Sequence, residues 1–310
     1  MAVDSARAFR IAARLATATA VLMYTLIVIG SIVRTTNSGL ACPDWPLCQG
    51  RWIPPLQFNV LVEWFHRLVA LIVGLGLLAT AGWTVTHRAL RTRLGGLAAL
   101  SLALYVSQAL LGAFTVWKLL DPNVVSAHLA VALLLFATLL VLGWVAAHEA
   151  TPAPQPARPP GASGMFTGAS IAIWAQAVLG GMVSTNHASL VCPDWPRCNG
   201  EWFPPMAGLV GIQMAHRFGA YLLALWLGVV AWRSRAADDP RVRRAGASLF
   251  ALVLLQGAVG VGNLLSGIRV GLSALHLAIA AGMLALALAT TFRLALQGAP
   301  ALGFAEAVTP

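Results

Sequence analysis

Charged residues are scarce in this chain. Only 10% of its 310 residues are Asp, Glu, Lys or Arg, whereas 59% are hydrophobic, and the mean hydropathy is +0.79. A soluble domain usually carries about 25% charged residues. The scarcity argues against a water-soluble enzyme, a disordered chain and a small secreted disulfide protein. Alternating strand patterns are also lacking, so we expect helices rather than the strands of a membrane barrel.

Eight apolar stretches are long enough to cross a bilayer, which takes about 20 mainly apolar residues in a helix. They cover about residues 13–34, 62–86, 94–117, 124–147, 165–186, 212–232, 245–266 and 272–293. The first is too long for an ordinary signal peptide, so we interpret it as an uncleaved helix. The pattern predicts an all-α membrane protein with eight transmembrane helices.

The positions of the basic residues favour one orientation. Most of the 20 lysines and arginines lie on the cytoplasmic side if the N-terminus is cytoplasmic. We therefore expect a multi-pass protein of a bacterial plasma membrane, with both termini in the cytoplasm. This bias accounts for much of the net charge of +10, so nucleic acid is not expected as a partner.

A tandem repeat divides the chain. Residues 42–55, CPDWPLCQGRWIPP, and 192–205, CPDWPRCNGEWFPP, are identical at ten of fourteen positions, at an offset of 150. We predict two tandem, pseudo-symmetric four-helix bundles, in which cofactors commonly lie between facing helices. The N-terminal unit covers 1–150, a Pro-rich cytoplasmic linker covers 151–164, and the C-terminal unit covers 165–310.

Four histidines fall about one turn inside the outer ends of spans 2, 4, 6 and 8. At this common depth, His66 can face His128 across the first bundle, and His216 can face His276 across the second. Paired axial imidazoles are typical of haem iron. The alternative is that each histidine only bonds a neighbouring helix. Zinc or copper is less favoured, because each pair supplies two nitrogens and no thiolate.

The four cysteines form two C-x₅-C pairs, Cys42 with Cys48 and Cys192 with Cys198, in outer loops. The outer face of a bacterial membrane is oxidising, so disulfides are expected there. Each pair is either a structural link or a redox-active one. A zinc site that adds His187 is a further, weaker alternative.

The two halves differ beside the first histidine of each. Glu63 lies three residues before His66 on one helix face, whereas Gln213 occupies the matching position in the second half. A carboxylate in one half only indicates that the chemistry takes place there, with Glu63 handling protons or positioning water. Arg34, whose counterpart is Ser184, is expected to pair with Glu63 or with a haem propionate.

Other polar residues in the spans have two interpretations. Arg67 and Arg217 are candidates for propionate binding, because the guanidinium matches a carboxylate, but they could equally be interfacial anchors. Gln108, Gln176 and Gln256 lie within spans, where amides commonly join neighbouring helices.

Together these features resemble haem A synthase, the bacterial and mitochondrial family that oxidises haem O to haem A. The resemblance covers nearly the whole chain. It rests on eight spans in two halves, Glu63-Trp64-Phe65-His66-Arg67, His128, His216-Arg217, His276 and the cysteine loops.

The resemblance implies a role for each pair of histidines. It assigns His216 and His276 to a resident haem b, and His66 and His128 to the substrate haem O. Glu63 matches a functionally important acid of the family, and oxidation of a porphyrin methyl group to formyl would pass through hydroxylated intermediates.

The resemblance also bears on the cysteines and on partners. Cys42 and Cys48 match the family's first-loop pair, whereas only some members carry the second pair. Haem O synthase and cytochrome oxidase assembly factors are candidate partners beside the lipid bilayer, and a homo-oligomer is compatible with the family.

Two further functions fit parts of the pattern. A di-haem b-type quinol oxidoreductase would use the same four histidines and leave both haems unmodified. A membrane thiol-disulfide oxidoreductase would explain the cysteines and leave the paired histidines without a purpose. A transporter fits less well, because the spans lack the acidic residues and broken helices of coupling-ion sites.

Overall fold

The computed structural model describes residues 2–151 and 162–296, and eight long helices form almost all of the regular structure there. The helices are α1 Ala2–Thr35, α2 Phe58–Thr86, α3 Arg88–Trp117, α4 Pro122–Ala150, α5 Ala162–Thr185, α6 Gly208–Ser234, α7 Pro240–Leu265 and α8 Val270–Leu296. All eight are long and apolar enough to cross a membrane. The predicted all-α membrane fold with eight spans is confirmed.

Helix α1 begins well before the predicted apolar span. Its first turns bury Ala8, Phe9 and Ala12 against Leu90 of α3 and Ala146 of α4. Hydropathy marks only the part of a helix that lies in lipid, whereas this N-terminal part is held by packing against its neighbours. The sequence pattern therefore found the span and missed the start of the helix.

The predicted linker is shorter than expected at its C-terminal end, because α5 already begins at Ala162. Residues 152–161, which are most of the linker, and residues 297–310 of the C-terminal unit lie outside the described residues. The division into units 1–150 and 165–310 stays a prediction.

The helices of each half contact one another in the same order. In the first half α1 packs on α2 and α4, and α3 packs on the same two helices. In the second half α5 packs on α6 and α8, and α7 packs on these two as well. Each half is therefore a closed group of four helices, the arrangement in which a cofactor can lie between facing helices.

The halves meet through α1, α4, α5 and α8. The Tyr24 hydroxyl donates to the carbonyl of Ala278, and the Trp174 indole donates to the carbonyl of Ala130, each at 3.1 Å. The two donors are separated by 150 residues and the two acceptors by 148, the offsets of the repeat. Hydrogen bonds of this kind between membrane helices help to fix the register of one half on the other.

Candidate functional site

All four predicted histidines line one large cavity. Its volume is about 1660 Å³, and its walls come from both halves of the chain. Sites for drug-sized ligands usually measure about 300–1,000 Å³. The cavity therefore has room for more than one such ligand, and it connects the histidine pair of the first half with that of the second.

The second pair of histidines has the spacing of two ligands on one metal ion. The ring centroids of His216 and His276 are 6.5 Å apart, at an interplanar angle of 70°. Two imidazoles that bind one ion from opposite sides, with metal–nitrogen bonds of about 2 Å, have centroids roughly 6 Å apart. The spacing of this pair would therefore allow the two imidazoles to hold a haem iron between them.

The ring nitrogens are consistent with that use. Within residues 2–151 and 162–296, no protein group hydrogen-bonds Nε2 of any of the four histidines, and Nδ1 of three of them is buried without a partner. The three are His66, His128 and His276. These three rings therefore do not hydrogen-bond a neighbouring helix through Nδ1. Their role as haem ligands stays a prediction.

Each histidine ring lies against a glycine on the preceding helix, a feature that the sequence analysis missed. The pairs are Gly30 with His66, Gly112 with His128, Gly180 with His216, and Gly260 with His276. A Cβ atom added to these glycines would lie 3.3, 3.5, 2.9 and 3.0 Å from the ring's Cε1, in the same order. The glycines thus let the imidazoles approach the neighbouring backbone, and most closely in the second half. The repeat offsets of 150 and 148, applied to glycine, could have found them.

The three glutamines join helices, as expected. Gln108, Gln176 and Gln256 each donate from Nε2, at 2.8 Å, to the backbone carbonyl of the histidine on the next helix. Nε2 of Gln176 also lies 3.0 Å from Nδ1 of His216. These amides therefore act directly on the histidine positions.

Glu63 is buried and joins helix α2 to the first cysteine loop. Its side chain is 5% exposed, and Oε1 forms a 2.6 Å ion pair with Arg67. Its Oε2 accepts from the backbone N–H of Cys42 at 2.8 Å. Arg67 also donates to the carbonyls of Cys42, Asp44 and Leu47 at 2.9, 2.6 and 2.6 Å. The carboxylate is thus linked both to the cavity that it lines and to the loop.

The second half repeats the arginine and not the ion pair. Arg217 donates to the carbonyls of Arg197 and Cys192, each at 2.7 Å. Gln213 donates from Nε2 to the carbonyl of Ser189 at 3.3 Å, and its Oε1 is buried without a partner. The predicted asymmetry between Glu63 and Gln213 is therefore also a difference in how each loop is attached.

One expectation for the arginines needs revision. Arg34 does not pair with Glu63, because Arg67 occupies that position one turn along α2. Arg34 instead donates to the carbonyl of Ser184 and lies 3.3 Å from Nδ1 of His187, so it joins the two halves. The guanidinium groups of Arg67 and Arg217 hold the loops, and their propionate role, like that of Arg34, stays a prediction.

The cysteines form two intrachain disulfides, Cys42 with Cys48 and Cys192 with Cys198. All four are buried. The sulfurs are thus committed to each other, and the described residues contain no cluster of three metal-ligating side chains. The zinc alternative with His187 is not supported.

Acidic turns shape both loops. In the second loop, Asp194 accepts from the backbone N–H groups of Asn199 and Gly200 at 2.6 and 2.9 Å. Donation from Gly200, followed by that from Asn199, lowers the pKa of Asp194 below its ordinary value. Asp44 makes the same two bonds to Gln49 and Gly50 in the first loop.

Comparison with known proteins identifies similar sequences. The sequence model of the COX15-CtaA family, described as cytochrome oxidase assembly protein, matches residues 13–61 and 56–288. The chain is 33% identical to the haem A synthase of Symbiobacterium thermophilum over 251 residues, which are 78% of this chain and 81% of that protein. It is 32% identical to the haem A synthase of Shouchella clausii over 262 residues, 82% and 86% of the two chains.

Proposed function

The chain belongs to the COX15-CtaA family of cytochrome oxidase assembly proteins, and from this we infer that it is a haem A synthase. The reaction oxidises the methyl group of haem O to the formyl group of haem A through hydroxylated intermediates. One observation carries the assignment on this molecule: two pairs of histidines line one cavity, and Glu63 is the only Asp or Glu among the described residues that line it.

We propose that the second half holds a resident haem b between His216 and His276. The centroid spacing of this pair and the close glycines beside it support the assignment. The haem would supply electron transfer to or from the substrate. The chain's own contribution is to fix the two imidazoles, through Gln176 and Gln256.

The first half would bind haem O between His66 and His128. Glu63 lies less than one turn before His66 on α2, so its carboxylate is close to a substrate held by that ring. We propose that Glu63 accepts or returns a proton as the methyl group is oxidised. Arg67 keeps the carboxylate in place through the ion pair, and the Cys42–Cys48 loop is held by the same two side chains.

The proposal extends to surroundings and partners. The protein would lie in a bacterial plasma membrane with both termini in the cytoplasm and the cysteine loops at the outer face. Haem O is a large apolar substrate, so delivery through the lipid or from a haem O synthase is consistent with the cavity. Cytochrome oxidase assembly factors and further copies of this chain are the other proposed partners.

Extraction of bound pigment from the purified protein tests the function. Chromatography and mass measurement should find haem B together with haem O, haem A or a hydroxylated intermediate. Haem B alone, in cells that make haem O, would contradict the synthase and favour a di-haem electron carrier. If no haem is present, both fail, and thiol-disulfide exchange becomes the better explanation.

A further inference from the structure

A short segment recurs opposite three of the four histidines. Gln-x-x-x-Gly occurs at Gln108–Gly112, Gln176–Gly180 and Gln256–Gly260, each on the helix that precedes a histidine-bearing helix. One residue of each segment donates to the histidine carbonyl, and the other, one turn later, lies against the imidazole ring. We call this segment a histidine seat.

The seat of His66 is incomplete. Its glycine, Gly30, is present on α1, but Leu26 stands where the other seats have glutamine. Leu26 is buried, lines the cavity and has no amide to donate. Among the described residues, no side chain donates to the His66 carbonyl, and its Nδ1 is without a partner.

The four histidines therefore differ in how firmly the protein restrains them. Gln108, Gln176 and Gln256 donate to the backbone carbonyls of His128, His216 and His276, whereas no described side chain donates to the carbonyl of His66. A bond to this carbonyl restrains the turn of helix that carries the ring. Loss of the hydrogen bonds that orient a ligating residue typically weakens metal binding.

The proposed reaction needs such a difference. Substrate haem must enter and product must leave at every turnover, whereas a resident haem must stay. Resting on the proposed function, we propose that Leu26 makes His66 the exchangeable axial ligand, through which the first half takes up and releases its porphyrin. The complete seats hold the other three histidines, His128, His216 and His276, in place.

Installing the missing amide tests the proposal. In Leu26→Gln, a donor at this position can reach the His66 carbonyl as its counterparts reach theirs. Leu26→Met is the matched control, because it keeps an apolar side chain of similar size. Both variants are purified as the full haem-loaded chain, and the thermal unfolding midpoint shows whether the fold is retained.

Two readouts separate ligand exchange from general stability. The first is the rate at which each haem passes to excess apomyoglobin. The second is the binding of carbon monoxide to the reduced protein, which requires an open position on the iron. A gain of one neutral hydrogen bond predicts roughly fivefold slower release from the first half and less carbon monoxide binding. Release from the second half should match the wild type. Leu26→Met, which adds no amide, should not slow release from the first half.

Unchanged release and carbon monoxide binding in a folded Leu26→Gln variant would overturn the assignment of His66. The converse variant, Gln256→Leu, gives the seat of His276 the composition of the His66 seat. It should release haem b roughly fivefold faster, and unchanged release would show that the amide does not retain the ligand. The Gln256→Leu experiment depends on haem b alone. It therefore still tests the role of the amide if pigment analysis finds no haem O and contradicts the proposed synthase function.

Discussion

Glu63 and Arg67, one turn apart on α2, form a 2.6 Å ion pair, and both side chains also bind the backbone of Cys42. The carboxylate that we propose to act on the substrate is thus part of the attachment of the disulfide loop. Two properties follow that can be separated by mutation: the charge of Glu63 and the anchoring of the loop.

Glu63→Gln should abolish formation of haem A while haem b is retained. The amide oxygen can still accept from the N–H of Cys42, and Arg217 shows that an arginine can hold its loop through carbonyls alone. The loop should therefore persist, and only the ionisable group is lost. Pigment extraction measures both haems in one preparation.

The double exchange Glu63→Gln with Gln213→Glu is the matched control for this prediction. It restores the number of carboxylates and places the new one in the other half. We expect no haem A, because the carboxylate must lie beside His66 and His128, the pair proposed to hold the substrate haem. If Glu63→Gln loses all haem, Glu63 is structural and the assignment of chemistry to it is wrong.

Arg67→Ala should expose the first disulfide to reductant, and Arg217→Ala should expose the second. Arg67 donates to three loop carbonyls and Arg217 to two. Hydrogen bonds from a charged donor contribute about 1.5–3 kcal/mol, so reduction of the released loop should accelerate on the order of tenfold or more. Timed alkylation and peptide mass analysis follow both disulfides in the same chain.

The untouched disulfide is the internal reference in each arginine variant. Equal acceleration of both would indicate global unfolding and contradict a local anchoring role. Arg67→Lys should give an intermediate rate, because lysine keeps the charge and loses the planar fork that reaches several carbonyls.

The sequence predicted the parts of this molecule that depend on repetition and hydropathy. Eight apolar stretches gave eight helices, and the offsets of 150 and 148 pointed to the histidines that share the cavity. These features are readable because lipid imposes length and polarity on each helix separately. The difference between Glu63 and Gln213 was also visible, since a charged group in a span is rare.

The partners of the arginines were not predictable. A guanidinium fits a haem propionate and a set of loop carbonyls equally well, so composition could not assign Arg67 to the loop or Arg34 to Ser184. The glycines beside the histidines were missed for a different reason. Small residues are common at contacts between membrane helices. The repeat offsets could have singled out these four glycines, but their contact with the imidazole rings shows only once the helices are packed.

Acid should loosen the second loop through Asp194. Hydrogen bonds from Gly200 and Asn199 lower the pKa of this carboxyl in the folded loop. Its contribution is therefore present above the ordinary carboxyl pKa of about 3.9 and is lost as the pH falls through the lowered value. In Asp194→Asn this contribution is missing at every pH.

The ratio of the two disulfide reduction rates measures this effect with a phosphine reductant that works in acid. At about pH 6 the second disulfide of Asp194→Asn should be reduced faster, relative to the first, than that of the wild type. At a pH below the lowered pKa, where Asp194 of the wild type is protonated, the ratios of the two proteins should converge. A ratio that is raised equally at both pH values would show that the ionisation of Asp194 does not hold the loop.

Substitution of the glycines beside the histidines should have graded effects that follow the approach of each ring. An added Cβ would lie 2.9 and 3.0 Å from the rings of His216 and His276, against 3.3 and 3.5 Å for His66 and His128. Gly180→Ala and Gly260→Ala must therefore displace an imidazole, and we expect reduced haem b content and a changed absorption spectrum. Gly112→Ala, where the contact is close to ordinary packing, should have the smallest effect.

Gly282→Ala on α8, the helix that carries His276, is the control, because an added Cβ there meets nothing within 4 Å and Gly282 is not among the residues that line the cavity. Alanine favours a helix over glycine by about 1 kcal/mol, so this variant should be at least as stable as the wild type and keep its haem b. Both variants gain the same helix propensity, so a difference between them reports on the imidazole. Equal haem b content in Gly260→Ala and Gly282→Ala would contradict the view that Gly260 is needed for the close approach of His276.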